Sequence, residues 1–203
     1  MKRGYHHGNL RKALIDAALT LIAGQGPNGF TLSEAAKTAD VTPAAVYRHF
    51  SGRDELIAEV ARQGYDIFAA LMEFAYNNGQ PSALAAFEAT GRAYLAFARK
   101  YPGHYMAMFE SGLNFAAYPE LGEIALRAKA VQERAAAGLA AHLPEAKRPP
   151  ASMFSAHIWA MSHGVVELFM RGPANRSPFS PEDLLESGIG IYLRGLGLLR
   201  PDA

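Results

Sequence analysis

A stretch of ten residues, VTPAAVYRHF, combines small, aromatic and cationic side chains in a pattern suited to a polyanionic partner. Thr42 is a good helix N-cap and Pro43 suits the first helical position, so a helix is predicted to begin here. Val46 and Phe50 lie four residues apart and can share a buried face. The opposite face is small at its N-terminal end and cationic or aromatic further on, unlike the Glu, Lys and Gln of an ordinary solvated face. This indicates contact with something large and negatively charged.

Positive charge is concentrated near the N-terminus. The whole chain has a formal net charge of +1, but residues 1–53 hold seven lysines and arginines against three acidic residues. A basic segment on a nearly neutral chain is typical of a surface that binds nucleic acid. The 203 residues, half of them hydrophobic, are enough for a small head and a larger body.

Several kinds of site are excluded or weakly supported. Because the chain has no cysteine, disulfides, zinc–cysteine sites and thiol catalysis are excluded. His157 and His163 are six residues apart, which is wrong for one helix face, and Ser111 lacks the context of a nucleophile elbow. We therefore expect no catalytic residue, no metal and no cofactor. With no apolar signal segment and no uncharged stretch of membrane-spanning length, a cytoplasmic protein without a membrane partner is expected.

Helix signals run through the whole chain and position these residues. Apolar side chains follow helical spacing over residues 10–22, Thr31 and Glu34 can form a capping box, and Ser180 can cap the last helix. We find no alternating strand pattern, so an all-α fold of about nine helices is predicted. The predicted helices cover residues 10–22, 31–39, 42–49, 53–76, 81–100, a short segment opened by YPGHYMAMF, a long one from YPELGE to about 142, 153–171 and 181–199.

Three short helices, the last two joined by a tight turn, make a helix-turn-helix. Here the sequence resembles the tetracycline-repressor (TetR) family of bacterial transcription regulators. The resemblance is carried by YHHGNLRKALIDAALTLIAGQG followed by FTLSEAAKTADVTPAAVYRHFSGRDEL, roughly the first quarter of the chain. Nearer the C-terminus, IWAMSHGVVELF is similar to the Trp…His-Gly (WHG-like) element of one branch of the family.

The resemblance implies a homodimer whose two heads read a palindromic operator in double-stranded DNA. It divides the chain into a helix-turn-helix DNA-binding domain at residues 1–55 and a helical body at 56–203. The body is expected to bind a small effector and to dimerise through its last two helices. The turn before Val41 usually has glycine, whereas this chain has Asp40. That position is expected to need a left-handed backbone, which aspartate tolerates better than most residues.

The recognition helix of such a motif brings its N-terminal end against base edges in the major groove. Ala44 and Ala45 permit close approach and offer methyl groups to thymine methyls. By resemblance, Tyr47, His49 and Arg53 grip backbone phosphates. The alternative is that Tyr47 packs in the core and the charges are only solvated. The candidate DNA-binding residues are Lys2, Arg3, Thr31, Ser33, Thr42, Pro43, Ala44, Ala45, Tyr47, Arg48, His49 and Arg53.

The middle of the chain is rich in Phe, Tyr and Met, which either line a pocket or form core. The helix predicted over 153–171 is apolar nearly all round, yet it carries His163 and Glu167 on one face. These two groups can pair with each other, with Arg92 or with Arg99, or they can bind the polar end of a mostly apolar effector. The candidate ligand-binding residues are Phe68, Met72, Phe97, Tyr101, Tyr105, Phe109, Trp159, His163 and Glu167.

The last predicted helix contains four glycines, each of which costs about 1 kcal/mol relative to alanine in a helix interior. Close approach of helices across a dimer interface would offset that cost. Alternatively, the helix is irregular near Gly195 and Gly197. The candidate dimer-interface residues are Phe154, Val165, Leu185, Gly188, Ile189 and Tyr192.

The first functional hypothesis is therefore a ligand-responsive transcriptional regulator, with repression preferred to activation. A helical small-molecule enzyme that uses His163 and Glu167 is an alternative from a different class. A regulator controlled by a protein partner, with a filled body, is another. Binding to a palindrome separates the first hypothesis from the enzyme.

Overall fold

The computed structural model describes residues 10–172 and 177–199, and every regular element in this part of the chain is a helix. The predicted all-α fold of about nine helices is confirmed for these residues. A π-helical segment, Val166–Arg171, continues the eighth helix. None of the described helices is both long and apolar enough to cross a membrane. The α-helices are α1 (Leu10–Gln25), α2 (Leu32–Thr38), α3 (Pro43–Val46), α4 (Arg53–Tyr76), α5 (Ala83–Lys100), α6 (Pro102–Phe109), α7 (Pro119–Ala140), α8 (Ala151–Val165) and α9 (Pro181–Leu196).

Two helix starts are capped as predicted. The Thr31 hydroxyl accepts the N–H of Glu34 at 3.2 Å, and the Glu34 carboxylate accepts the Thr31 N–H at 2.7 Å, which completes the capping box. The Thr31 N–H and hydroxyl, by donating to this carboxylate, lower the pKa of Glu34. Ser180 Oγ accepts the N–H of Asp183 at 3.0 Å, with Pro181 in the first turn.

The recognition segment, residues 42–49, contains less α-helix than predicted. Helix α3 ends at Val46 rather than His49. The N–H groups of Arg48 and His49 donate to carbonyls three residues back, so the chain tightens into a turn. Thr42 occupies the N-cap position with an extended backbone, but its side chain makes no capping hydrogen bond. The predicted helix over 42–49 is therefore one α-helical turn followed by a tighter turn.

The later helices differ from the prediction mainly at their ends. The helix predicted from Pro81 begins two residues later, and the helix predicted over 153–171 keeps α geometry only as far as Val165. The last helix stops short of its predicted end because Gly197 adopts a left-handed φ of 78° and its N–H donates to the Arg194 carbonyl. The helix is thus irregular at Gly197, as one of the two alternatives predicted, because the α-helix ends at this residue.

The described chain forms two compact units. The first contains the chain up to Ile67 together with Tyr101–Ile124. The second contains Phe68–Lys100 and the chain from Ala125 onward. The boundary predicted after residue 55 is a functional division and stays a prediction. The division into compact units also shows that α6 packs with the N-terminal helices.

Within the first unit, α6 lies very close to both α1 and α4. A Cβ atom on Gly103 would be 2.8 Å from the Leu19 carbonyl oxygen of α1. A Cβ atom on Gly64 of α4 would be 2.7 Å from Met108 Sδ of α6. A larger residue at position 103 would force α6 away from the α1 backbone, and one at position 64 would displace the Met108 side chain. The apolar core of this unit includes Leu14, Ile22, Phe30, Val46, Phe50, Leu56, Ile57 and Val60.

Glu59 on α4 joins α1 to α4 through ion pairs. Its carboxylate lies 3.1 Å from an Arg11 nitrogen and 2.8 Å from Arg62 Nη2, and it accepts a Gln63 N–H at 2.8 Å. Burial alone would raise the pKa of Glu59, but the hydrogen bonds from Arg62, Arg11 and Gln63 outweigh burial and lower the pKa to about 2. The Arg11 guanidinium also lies 5.0 Å from the centre of the Phe50 ring.

The second unit packs α8 and α9 against α5. The Phe154 ring of α8 lies 5.2 Å from Phe87 of α5 and 5.6 Å from Tyr192 of α9. Arg99 pairs with Glu182 at 2.6 Å across α5 and α9. The apolar core of this unit includes Phe68, Met72, Phe87, Tyr94, Phe97, Phe154, Leu185, Ile189 and Leu193.

Replacing Glu59 by glutamine should reduce the acid sensitivity of the fold. In the wild type, the carboxylate contributes stability above its ordinary pKa of 4.5, and that contribution is lost as the pH falls towards about 2. Glu59→Gln should therefore unfold at lower urea concentration at pH 7 and lose less further stability between pH 7 and pH 3.

Urea unfolding followed by circular dichroism at the two pH values measures this difference. Glu133→Gln is the control, because Glu133 makes only a surface pair with Lys129 at 3.4 Å. The control should change the free energy of unfolding by less than about 1 kcal/mol. A Glu59→Gln protein with the same pH dependence as the wild type would contradict the assigned role.

Candidate nucleic-acid interface and effector site

An open groove of about 610 Å³ lies beside α2 and α3 in the first unit. Five of the predicted DNA-binding residues line it: Ser33, Thr42, Pro43, Ala45 and Arg48. Lys37 and Asp40 also line the groove and had no predicted role in binding. Lys37 lies one helical turn after Ser33 on α2, so its i,i+4 spacing is the sequence signal that identifies it.

The outer face of the recognition segment is exposed. Tyr47 is 62% exposed, whereas Val46 is 0% and Phe50 1% exposed. The predicted buried face of Val46 and Phe50 is thus confirmed, and the alternative in which Tyr47 packs in the core is excluded. Ala44 and Arg48 are exposed as well. Ala44, Tyr47 and Arg48 therefore form one exposed surface, which we call the recognition surface.

The turn between α2 and α3 has the predicted left-handed residue. Asp40 has a φ of 55°, and its N–H donates to the Lys37 carbonyl at 3.1 Å. The N–H of Val41 donates to the Ala36 carbonyl at 2.9 Å and closes the turn. Aspartate is one of the few residues that adopt this conformation without large strain. The aspartate therefore preserves the turn and adds a carboxylate to the groove.

Some predicted DNA-binding groups already have partners within the chain. The Thr31 hydroxyl belongs to the capping box described above. Arg53 Nη2 lies 3.4 Å from the Asp54 carboxylate and 3.5 Å from Asn28 Oδ1. His49 is half-buried. Lys2 and Arg3 lie outside the described residues.

The predicted ligand-binding residues divide between the two units. Tyr101, Tyr105 and Phe109 belong to the first unit, where the Tyr105 and Phe109 rings lie 4.9 Å apart and Tyr65 lies 6.1 Å from Phe109. The other six, Phe68, Met72, Phe97, Trp159, His163 and Glu167, belong to the second unit. Among those six, Met72 and Phe97 are 0% exposed and form core.

Tyr94 connects Trp159 and His163 in the second unit. The Trp159 Nε1–H donates to the Tyr94 hydroxyl at 3.2 Å, and that hydroxyl lies 3.0 Å from His163 Nδ1. Because the hydroxyl oxygen accepts from Trp159, Tyr94 can donate its own hydrogen to Nδ1 of a neutral His163. Phe68 packs edge-on against the Tyr94 ring at 5.3 Å, and Trp159 remains 41% exposed. Tyr94 is one of the aromatic residues in the middle of the chain that were candidates for a pocket wall, and the fold adds its hydrogen bonds to Trp159 and His163.

Glu167 has a different partner from those predicted. It pairs with Arg171 at 3.5 Å, one turn further along the π segment. Arg92 and Arg99 pair instead with Glu186 at 3.5 Å and Glu182 at 2.6 Å. Of the alternatives considered for Glu167, pairing with Arg92 or Arg99 is therefore not the one found. No group of three His, Asp or Glu side chains within residues 10–172 and 177–199 could hold a metal ion.

The predicted dimer-interface residues lie mostly inside the single chain. Phe154, Leu185 and Ile189 are 5% exposed or less, and Val165 is 9% exposed. Because these side chains pack in their own core, they have little surface left for a partner, and this part of the prediction is revised. Gly188 and Tyr192 keep some exposed surface.

Two profiles of known families match this chain. The profile for Bacterial regulatory proteins, tetR family, matches residues 14–60. The profile for Tetracyclin repressor-like, C-terminal domain, matches residues 87–192, which is just over half of the chain.

Individual relatives match more locally in sequence. The HTH-type transcriptional regulator BetI of Rhizobium meliloti is 44% identical over 52 residues, 26% of this chain and 26% of BetI. The regulator YobS of Bacillus subtilis is 30% identical over 101 residues, 49% of this chain and 51% of YobS. The chain thus matches about a quarter of the length of BetI and about half of the length of YobS. A solved structure of a protein of unknown function from Rhodococcus sp. RHA1 has the same fold, with a TM-score of 0.78 and 24% identity over 96% of this chain and 98% of that one.

Removing the Tyr94 hydroxyl tests the hydrogen-bonded link between Trp159 and His163. Tyr94→Phe keeps the buried ring but leaves the Trp159 N–H and His163 Nδ1 without this partner, so it should lower the free energy of unfolding by about 0.5–1.5 kcal/mol. Because Trp159 is the single tryptophan, its emission spectrum should shift in the folded variant.

Tyr76→Phe is the matched control. The Tyr76 ring lies 5.5 Å from the Arg134 guanidinium carbon, a contact that phenylalanine retains. Denaturant unfolding and tryptophan emission are measured on both variants. Equal stabilities and identical spectra for the two would show that the Tyr94 hydroxyl has no such role.

Proposed function

This chain belongs to the tetracycline-repressor (TetR) family of DNA-binding transcriptional regulators, and we propose that it represses transcription from a palindromic operator until a small effector releases it. The observation that carries the proposal is the exposed recognition surface beside the 610 Å³ groove. A protein acting on bacterial DNA works in the cytoplasm, which is the location we propose.

The chemistry of the recognition surface fits a major groove. Ala44 and Ala45 place methyl groups at the start of α3, where apolar contact with thymine methyls selects sequence. Tyr47 and Arg48 are exposed and supply a hydroxyl and a guanidinium for phosphates or guanine. Lys37 adds a second cation from α2. Ala44 and Ala45 thus allow a close approach to the bases. Arg48 and Lys37 supply electrostatic attraction to the DNA.

We propose that the effector binds in the second unit near Trp159 and His163. The Phe68 ring packs against Tyr94 there, and the Tyr94 hydroxyl, the Trp159 N–H and His163 bring polar groups close to one another. Effector binding weakens operator binding only as far as the effector prefers the conformation with low DNA affinity.

We propose a homodimer formed by the outward faces of α8 and α9. These helices carry exposed apolar side chains, including Met153 at 54% and Ile191 at 64% exposure. The exposed positions Ala156, Ala160 and Gly195 are small and allow close helix contact. A two-fold dimer presents two recognition segments to the two halves of a palindrome.

Mutating the recognition surface should weaken DNA binding. Tyr47→Ala and Arg48→Ala should each lower affinity for every duplex, and each lost phosphate contact should reduce the salt slope by about 0.9. Ala44→Glu should abolish specific binding because it places a negative charge against the bases. Fluorescence anisotropy at several salt concentrations, with a duplex selected from random-sequence DNA, measures these effects.

The control for these variants is Phe74→Ala. Phe74 is an aromatic residue of the second unit that is 85% exposed, so its removal should leave both the fold and the salt slope unchanged. If the Tyr47→Ala, Arg48→Ala double variant binds the selected duplex as tightly as the wild type at every salt concentration, the recognition surface is assigned wrongly.

A charge on the outer face of α9 should break the dimer. Ile191→Asp should convert the protein into a monomer at micromolar concentration, because an unpaired carboxylate would be buried at the interface. Leu126→Asp on α7 is a closely matched control, since Leu126 and Ile191 are both 64% exposed. Analytical ultracentrifugation separates the two states. A monomeric wild type, or a dimeric Ile191→Asp, would rule out this interface.

A further inference from the structure

The three buried serine and threonine side chains in the described part of the chain all line one small cavity. Thr90 of α5 is 3% exposed, and Ser155 and Ser162 of α8 are 3% and 1% exposed. The cavity has a volume of about 10 Å³ and is completed by Phe87, Gly91, Gln132 and Ile158. All of these residues belong to the second unit. The buried serine and threonine hydroxyl groups of the described residues are therefore concentrated at a single place.

Each hydroxyl has already used its hydrogen. Thr90 Oγ1 donates to the Phe87 carbonyl at 2.7 Å, Ser155 Oγ to the Ser152 carbonyl at 3.1 Å, and Ser162 Oγ to the Ile158 carbonyl at 2.9 Å. A hydroxyl has one hydrogen to donate and two lone pairs that can accept. The three oxygens can therefore offer only acceptor capacity to a molecule in the cavity.

We infer that this cavity is a binding site for a small, neutral hydrogen-bond donor, such as the O–H end of an alcohol. The volume corresponds to about one water-sized group, which admits the donor end of a ligand and not its whole body. A carboxylate is disfavoured because it has no hydrogen to give to the three oxygens and would lose its hydration. Phe87 and Ile158 supply apolar walls beside the donor.

Gln132 of α7 is the cavity-lining residue closest to solvent by its exposure. Among the lining residues it alone is not buried, so the larger part of a ligand would extend past its side chain. This inference rests on the proposed function, because it identifies the polar end that the effector presents to the second unit. It assigns that end to the hydroxyl cluster on α5 and α8, and it specifies a donor.

A pair of isomeric probes tests the site. The probes 1-hexanol and methyl pentyl ether have the same composition, but only the alcohol has a hydrogen to donate. The alcohol should bind about ten-fold more tightly than the ether, the loss expected when buried acceptors meet a ligand without a donor. Hexanoate should bind no better than the ether. The methyl resonance of Ile158, followed by NMR in the full chain, reports occupancy of the cavity itself.

Variants separate the site from nonspecific binding. In the Ser155→Ala, Ser162→Ala double variant and separately in Thr90→Val, the preference for the alcohol should fall to about two-fold or less. Ser152→Ala and Ser187→Ala, at exposed positions of α8 and α9, are the controls and should retain the full preference.

Operator binding by the same samples keeps the two proposals distinguishable. Equal binding of alcohol and ether, or no binding of either, overturns the donor site and leaves a cavity suited to water only. If DNA binding persists in that case, the proposed regulatory function stands. Loss of specific DNA binding in the wild type would instead count against the proposed function, whatever the probes do.

Discussion

The closeness of α6 to α1 and α4 is the constraint on which the first unit depends. Gly103 is required there because a Cβ atom would lie 2.8 Å from the Leu19 carbonyl oxygen, and a Cβ atom on Gly64 would displace the Met108 side chain, whose Sδ would be 2.7 Å away. Helix α1 packs on α2, and α2 packs on α3, so α6 supports the recognition segment through two intermediate helices. Residues 101–124 therefore belong structurally with the N-terminal helices, although α5 separates them in sequence.

Some positive side chains of the first unit pair with groups of the same chain, so fewer of them are available to bind DNA than their number in the sequence indicates. Arg11 is held by Glu59 and lies over Phe50, and Arg53 lies beside Asp54. Arg11 thus joins α1 to α4, and the cations that line the groove are Lys37 and Arg48. A positive N-terminal segment thus correctly indicates the class of partner, while its individual charges divide between folding and binding.

Local signals in the sequence predict local structure well. The Thr31 and Glu34 capping box, the Ser180 cap and the left-handed Asp40 each depend on residues within four positions of one another. The same is true of the paired burial of Val46 and Phe50. Helix type and order follow from such signals, and so does the exposed recognition surface.

What the sequence could not supply depends on contacts between distant segments. Tyr94 receives the Trp159 N–H from a helix 65 positions away in sequence. The burial of Phe154 and Leu185 inside one chain likewise follows from the packing of α5, α8 and α9, since an apolar helix face looks the same whether it meets its own core or a partner. Side chains such as Thr90 and Ser162 gave no signal, because their importance comes from sharing one cavity.

The π segment at Val166–Arg171 affects how this chain should be aligned with its relatives. A π-turn accommodates about one more residue than an α-turn, so it acts as an insertion that the helix absorbs without a loop. A relative whose corresponding helix is α throughout would need a single-residue gap opposite this segment. Without that gap, the aligned positions from Val166 to Arg171 would be compared with residues from a different side of the helix. Conservation scores for Glu167 and Leu168 would then describe the wrong positions.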